Sequence, residues 1–437
     1  MNILLVGNGA REHAIAEVFL KSRHRPKIYA YMQANNPGIL MYCEGIEIGS
    51  YSSVSKIAEF AQFIRAEFAF IGMDEPLSHG VVDALERAGV PCVGPKKSLA
   101  KLETSKSFTR AIMKKYGIEG NPLFGSFTKE TFSRAKGFIE EMDAFVVKPD
   151  GLTGGKGVWV QGDHFKTKEE GLRYAEQILG SHPAVVIEEK LEGEEFSLQC
   201  LTDGKTVLAT PPVQDHKRAF DGDLGPNTGG MGSYSDANHL LPFLTKEDVE
   251  AGLAITQKMC EALQKETGEY YRGVMYAGLI KTKHGVKLIE YNARFGDPEA
   301  MNIMAIFKSD LVDVCRAIVD QKLHTMDLVF EDKATVCKYL VPEGYPTHPV
   351  KNERIEVDED AAAFFYYASV DKKEDGLYMT SSRAVGVVGV ASTLEEAEEI
   401  AEEGCSHVKG KVFHRKDVGT RMLIQRRIDH MNGILNS

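Results

Sequence analysis

The sequence predicts a multidomain chain of α/β and α+β units, and three observations lead to that reading. At 437 residues the chain is too long for one ordinary core and fits about three domains of roughly 100 to 200 residues each. Its first part alternates short apolar runs with helical patterns, the sign of a mostly parallel sheet covered by helices. Its middle and end carry strands separated by glycine-rich turns, which fits mixed α+β units. Hydrophobic residues make up 43% and charged residues 26%, enough apolar surface for packed cores and no bias toward disorder.

Residues 2–6 form an apolar run that ends in Gly7-Asn8-Gly9, and a helical pattern covers 10–20, giving strand, tight turn and helix. Strands are predicted at 27–31, 68–72 and 90–93, with helices at 54–67 and 77–88. Gly94-Pro95 closes this unit, which is assigned residues 1–103. A helix at 106–116 opens the central body, 104–327, whose stretch of about 120–192 is expected to form a lid. Strands follow at 144–148, 158–161, 184–188 and 196–201, with a helix at 168–179. A long helix at 246–265 precedes a hairpin of 275–282 and 286–291, turning at Lys283-His284-Gly285, and a helix at 310–320 closes the body. The last unit, 328–437, starts with a strand at 334–340. It runs through strands near Arg354 and Ala363 and at 383–390, and ends in helices at 394–404 and 422–435.

A net charge of −11 argues against a nucleic-acid partner, since phosphate backbones are bound through clustered Lys and Arg. Anionic substrates must therefore be met locally. The seven cysteines are scattered and form no CxxC pair, which reads as reduced thiols. No basic segment precedes the first apolar strand, and no 18 consecutive residues are apolar, so neither a signal peptide nor a membrane span is expected and the protein is assigned to the cytoplasm.

Three runs carry chemistry. Lys148-Pro149-Asp150-Gly151-Leu152-Thr153-Gly154-Gly155-Lys156-Gly157 sets a lysine at a strand end before a glycine loop. Such a loop lets backbone amides approach phosphates while the lysine reaches an α- or β-phosphate; a polar hairpin turn is the alternative. Val185-Val186-Ile187-Glu188-Glu189-Lys190-Leu191 leads a strand into the acidic turn Glu192-Gly193-Glu194-Glu195, suited to an adenine edge and ribose hydroxyls or simply to solvent. In Glu290-Tyr291-Asn292, the period of two puts Glu290 and Asn292 on one strand face, where two oxygen ligands suit magnesium or manganese on a triphosphate. Arg294-Phe295-Gly296-Asp297-Pro298-Glu299 follows directly. Its arginine can bridge two oxygens of a phosphoryl or carboxylate group, or pair internally with Asp297 or Glu299.

Lys148 with its glycine loop, the adenine-side run and the Glu290-x-Asn292 strand, in this order, resemble the ATP-grasp fold, in which two lobes clamp ATP. The runs Arg294 to Glu299, Asp215-His216-Lys217-Arg218 and Gly225-Pro226-Asn227-Thr228-Gly229-Gly230-Met231-Gly232 are similar to those of glycinamide ribonucleotide synthetases. Gly7 to His13 and the region 383–420 resemble the same family's two ends, so the likeness spans nearly the whole chain. The resemblance implies a Rossmann-like first domain, a two-lobed ATP-grasp body and a small C-terminal α+β domain. It implies ligation of glycine to 5-phosphoribosylamine with ATP, through a glycyl phosphate, to give glycinamide ribonucleotide, ADP and phosphate in purine synthesis.

It also implies roles. Lys106, Lys148 and the loop Gly154, Gly155, Lys156 and Gly157 would hold ATP phosphates, Glu188 and Leu191 the adenine, and Glu195 the ribose. Glu290 and Asn292 would bind the metal. Gly9, Arg11, Asp215, Arg218, Asn227, Thr228, Gly229, Gly230, Arg294, Asp297 and Glu299 would form the amino-acid and sugar-phosphate pocket, with Arg294 and Lys148 as the catalytic pair. The sequence departs from the family's pattern where Tyr276-Ala277-Gly278-Leu279 lacks an acidic metal ligand, which leaves the ligand set and metal number open.

Other readings remain. A nicotinamide-dependent oxidoreductase is disfavoured because Glu12 replaces the third glycine of GxGxxG and the second strand ends without a carboxylate. Another ATP-grasp ligase, a formate-using transformylase and a non-catalytic nucleotide-binding module stay open, as does the choice between monomer and dimer. His13 and His216 read more readily as hydrogen-bonded structural residues than as catalysts.

Overall fold

The computed structural model describes residues 1–152 and 157–437, so Gly154, Gly155 and Lys156 of the expected phosphate loop lie outside the described residues. The first unit is a five-stranded parallel sheet of β1 (Asn2–Val6), β2 (Lys27–Met32), β3 (Cys43–Ile48), β4 (Phe68–Ile71) and β5 (Cys92–Val93), in the order β3-β2-β1-β4-β5. Helix α1 (Ala10–Leu20) follows the tight turn after β1. Gly7 enters that turn at φ +140°, and a Cβ there would lie 2.5 Å from Glu12 Cγ, so only glycine fits above the buried carboxylate. The expected helix at 77–88 is two helices, Asp74–His79 and Val81–Arg87, divided at the left-handed residue Gly80. Strand β3 was not foreseen, because Cys-Glu-Gly-Ile-Glu-Ile is a half-exposed edge with a glycine in it.

Two further helices, α2 (Lys97–Thr104) and α3 (Lys106–Lys115), lead into the central body. α2 was also not foreseen. α3 starts where Ser105 caps the N–H of Phe108. The stretch expected to form a lid contains a sheet of β6 (Phe124–Phe127), β7 (Phe145–Pro149), β8 (Trp159–Val160) and β9 (Val185–Glu189), in the order β6-β9-β7-β8. It has its own core, in which Phe145, Val147, Val185 and Ile187 pack against Ala175 and Ile178 of the helix Lys168–Ile178. That helix begins with a capping box between Thr167 and Glu170. The second lobe is the antiparallel sheet of β10 (Glu194–Thr202), β11 (Val207–Ala209), β12 (Gly273–Thr282) and β13 (Gly285–Asn292). The long helix Lys246–Thr267 buries Met259, Cys260 and Leu263 in the core that this sheet shares.

The C-terminal sheet is not confined to the end of the chain. Strands Gln214–Asp215 and Gly232–Ser235 of the middle region pair into it beside Ala334–Pro342, Val385–Ala391 and Phe364–Tyr367. A second core is likewise common property, joining Phe19 and Phe70 of the first unit to Phe295 and Ile303 of the middle and Cys337 and Val388 of the end. These shared layers bring residues far apart in sequence to one cleft. Among the described residues no helix is long and apolar enough to cross a membrane.

The packing of strand Val385–Ala391 on helix Leu394–Ser406 depends on Gly389, where a Cβ would stand 1.9 Å from the Ala397 carbonyl oxygen and 2.8 Å from the Ala401 nitrogen. Gly389→Ala should cost about 1–3 kcal/mol in stability. Gly137→Ala, with nothing within 4 Å, is the control and should be neutral or slightly stabilising. Denaturant titrations of the two variants check this, and equal midpoints would contradict it.

Candidate active site

The two lobes meet where β7 and β9 face β13. Lys148 lies near the end of β7, with its ammonium 2.7 Å from Glu188 Oε2 on β9 and 3.3 Å from the Ile289 carbonyl of β13. Arg110 of α3 donates through Nε to the other Glu188 oxygen at 2.6 Å and through Nη2 to the same Ile289 carbonyl at 2.7 Å. Burial opposes ionisation of Glu188, but Arg110 and Lys148 overcome it and hold the carboxyl down to about 2. Lys106, at the start of α3, donates to the Gly151 carbonyl at 3.0 Å, and the Gly157 carbonyl accepts from the Tyr174 hydroxyl at 3.1 Å.

The Glu188 side chain, expected at the adenine, is engaged within the protein. Both carboxylate oxygens are held by internal cations, the residue is 3% exposed, and its strand pairs on both sides, opposite Phe124 and Val146. Leu191, partly exposed just past the end of β9, is better placed to meet a ligand. Glu195 is exposed, 3.5 Å from Lys217.

On β13, Glu290 stands opposite Gly278 and Asn292 opposite Tyr276. Burial would raise Glu290, yet Lys217, Lys148, Lys106 and Arg294 together keep it below the usual carboxylate range. Its carboxylate has no hydrogen bond or ion pair among the described residues, so it is ionised and open to a ligand. Asn292 Oδ1 accepts from Arg294 Nη2 at 3.3 Å. Arg294 does not take Asp297 or Glu299 as its ion partner; it lies 3.1 Å from Glu103 at the end of α2. Glu103 also accepts the Ala293 N–H at 2.8 Å, and burial, opposed by Arg294, pushes its carboxyl up to about 6.

The other half of the cleft is acidic. Asp215 and Glu299 are close enough that burial, with Glu299 adding to it, pushes Asp215 well above the usual carboxylate range. Asp215 Oδ1 is buried without a partner, whereas Glu299 accepts from the Tyr276 hydroxyl at 2.7 Å. Gly230 turns at φ +117° against Asp215, and a Cβ there would come 2.6 Å from Oδ1. Thr228 accepts the Gly230 N–H and donates to the Lys217 carbonyl, fixing the loop that Asn227 enters from its strand pairing with Arg218. Gly229 and Gly230 offer their carbonyls to Arg383, and Asp297 accepts from Tyr339.

Three predicted pocket residues are engaged elsewhere. Arg11 is buried, bonded to Glu12 at 2.5 Å and to the Phe295 carbonyl at 2.8 Å, so it braces the loop after β13. The Gly9 N–H donates to Glu12 Oε2 at 2.7 Å. Arg218 points toward the lid, 3.5 Å from Asp163. His13 is buried among Tyr42, Tyr366 and Tyr367, accepts the Tyr367 N–H and is lowered to about 3 by burial, which makes it a neutral packing residue. His216 is lowered to about 3 by burial and then by Arg427 and Arg415.

Family models described as phosphoribosylglycinamide synthetase match the chain in three parts: the N domain over 1–103, the ATP-grasp (A) domain over 104–300 and the C domain over 335–421. The chain belongs to the phosphoribosylglycinamide synthetase family. Within it, the chain is 50% identical over 431 residues to phosphoribosylamine–glycine ligase of Methanosarcina barkeri, with 99% of each chain covered. A solved phosphoribosylamine–glycine ligase from Thermotoga maritima matches with a TM-score of 0.80 at 29% identity, over 95% of this chain and 100% of that one. The biotin carboxylase domain of Hydrogenobacter thermophilus 2-oxoglutarate carboxylase, at 16% identity, shares the fold, with a TM-score of 0.71 over 99% of this chain and 93% of its own.

Sequence reasoning missed Glu103, Arg110, Tyr276 and Arg383. Glu103 and Arg110 lie in no glycine-rich or acidic run, and only their partners across the fold reveal them. Lys217 stood inside a recognised run without a role. Glu103 gives the site a pH response. As pH falls through about 6, its carboxylate takes up a proton and loses the pair with Arg294, so turnover should fall. A pH–rate profile of Glu103→Gln should lack this acid limb and run at a lower plateau; an unchanged limb would contradict the assignment.

Proposed function

We propose that this chain ligates glycine to 5-phosphoribosylamine, giving glycinamide ribonucleotide, ADP and phosphate. The observation that carries this reading is the division of one cleft into a cationic half, around Lys106, Lys148 and Arg294, and an acidic half, around Asp215 and Glu299. A triphosphate suits the first. An amino acid's ammonium suits the second, where two buried carboxylates facing each other are relieved by a cation between them.

The open, ionised Glu290 and the Asn292 oxygen beside it fit a hard divalent cation, magnesium or manganese. Such an ion would supply neutralisation of triphosphate charge. The chain's own residues do the rest. Lys148 and Lys106 orient and neutralise phosphate oxygens, and Arg294, held by Glu103, meets the glycine carboxylate or the transferring phosphoryl group.

A carboxylate is a poor acyl donor because its leaving group would be oxide. The glycine carboxylate therefore attacks the γ-phosphorus, a new O–P bond forms, the bridging bond to the β-phosphate breaks, and ADP leaves. The amine of phosphoribosylamine then attacks the acyl carbon of glycyl phosphate, forming the C–N bond and releasing phosphate and a proton. No side-chain nucleophile takes part, so the protein's work is orientation and exclusion of water from the acyl phosphate.

The test is ADP release by purified protein with ATP and magnesium, with glycine and with phosphoribosylamine generated in the assay, each alone and together. Release that needs both, with a product of glycinamide ribonucleotide mass, is the expected result. ATP binding without glycine-dependent turnover would contradict the proposal.

A further inference from the structure

We infer that Arg383, contributed by the C-terminal sheet, is a positioning residue for the amino-acid and amine end of the cleft, a role that rests on the ligase reading above. It lies just before strand Val385–Ala391. Its Nη1 donates to three main-chain carbonyls: Gly229 at 2.9 Å, Gly230 at 3.1 Å and Asp297 at 2.7 Å. These belong to the two loops that wall the acidic half, one before strand Gly232–Ser235 and one after β13. The guanidinium also lies 3.5 Å from Asp297 Oδ2 and 4.5 Å from the centre of the Tyr339 ring, while the Tyr339 hydroxyl donates to Asp297 Oδ1 at 2.7 Å.

One cation thus joins two loops that approach from different strands. Nη1 alone ties both backbones, its two N–H groups shared among three carbonyls, while Nη2 faces the Asp297 carboxylate, a spread of donors over one plane that a lysine's single nitrogen cannot reproduce. The loop at Gly229 rests directly on the guanidinium, since a Cβ there would be 3.1 Å from Arg383 Cζ. A Cβ on Gly230 would stand 2.6 Å from the orphaned Asp215 oxygen, and the Gly230 carbonyl accepts from Arg383, so displacing the guanidinium displaces the wall against Asp215. Arg383 and Tyr339 also set the Asp297 carboxylate, whose Oδ2 lies 3.7 Å from a Cβ built on Gly9. The C-terminal unit thereby aligns the middle loops with the N-terminal turn. None of these bonds reaches Lys106, Lys148 or Glu290, so Arg383 acts on one half of the cleft only.

The experiment varies each substrate in turn for the full chain and for Arg383→Ala, Arg383→Lys and Tyr339→Phe. Arg383→Ala should raise KM for glycine or phosphoribosylamine, or lower kcat, by about ten- to a hundredfold while KM for ATP stays nearly constant. Added guanidinium should restore part of the loss, and Arg383→Lys, which keeps the charge but not the fork, should remain impaired. KM values for all three substrates moving together, or neither KM nor kcat changing, would overturn the inference. If Arg383→Ala fails to fold, Arg383→Lys and Tyr339→Phe are read by the same split.

Wild-type protein that makes no product would count against the ligase reading, and the brace is then judged by hydrogen exchange. Arg383→Lys should speed exchange at 229–231 and 297–302 and leave Val185–Glu189 unchanged. Equal exchange at those loops in variant and wild type would overturn the brace.

Discussion

The carboxylate of Glu188, enclosed with Arg110 and Lys148, is the interaction on which the cleft depends. Taking three charges out of water is expensive, and the arrangement survives because both carboxylate oxygens are paired, Oε1 with Arg110 Nε at 2.6 Å and Oε2 with Lys148 at 2.7 Å and Arg110 Nη2 at 3.0 Å. The group keeps one net positive charge, which a triphosphate can complete. Both cations also bond the Ile289 carbonyl, the residue before Glu290. Strands β7, β9 and β13 and helix α3 are thereby fixed to one point. Glu188, expected at the nucleotide, holds Lys148 in place.

A second pattern is the separation of charge along the cleft. Cations gather where Glu290 is left open, and carboxylates gather around Asp215, which burial and Glu299 push away from ionisation. Each half is shaped so that a substrate supplies the missing charge, which ties binding to alignment for phosphoryl and then acyl transfer.

Much of this was legible in local sequence. Lys148 before a glycine loop and Glu290-x-Asn292 on a strand carry their chemistry in a few adjacent residues, and so does the alternation that gives the parallel first sheet. What was not legible depends on long-range partners. Glu103 anchors Arg294 and the adjoining backbone from 190 residues away, a pairing no local pattern encodes. Glu188 sits on a strand buried on both faces, so its period gives no sign of which way the carboxylate points. The C-terminal sheet recruits the two short strands at 214–215 and 232–235, too brief to be read as strands without their partner at Ala334–Pro342. Arg383 was missed for the same reason, because its meaning lies in three carbonyls from other parts of the chain.

If Glu188 acts on nucleotide binding through Lys148, changes at the two residues are coupled. A double-mutant cycle of Glu188→Gln and Lys148→Met, read as ATP affinity by calorimetry with magnesium present, tests it most directly. Each single change should weaken binding, and the double variant should lose little more than the worse single one, a coupling of about 0.5–3 kcal/mol. Fully additive losses, or unaltered affinity in Glu188→Gln, would contradict it.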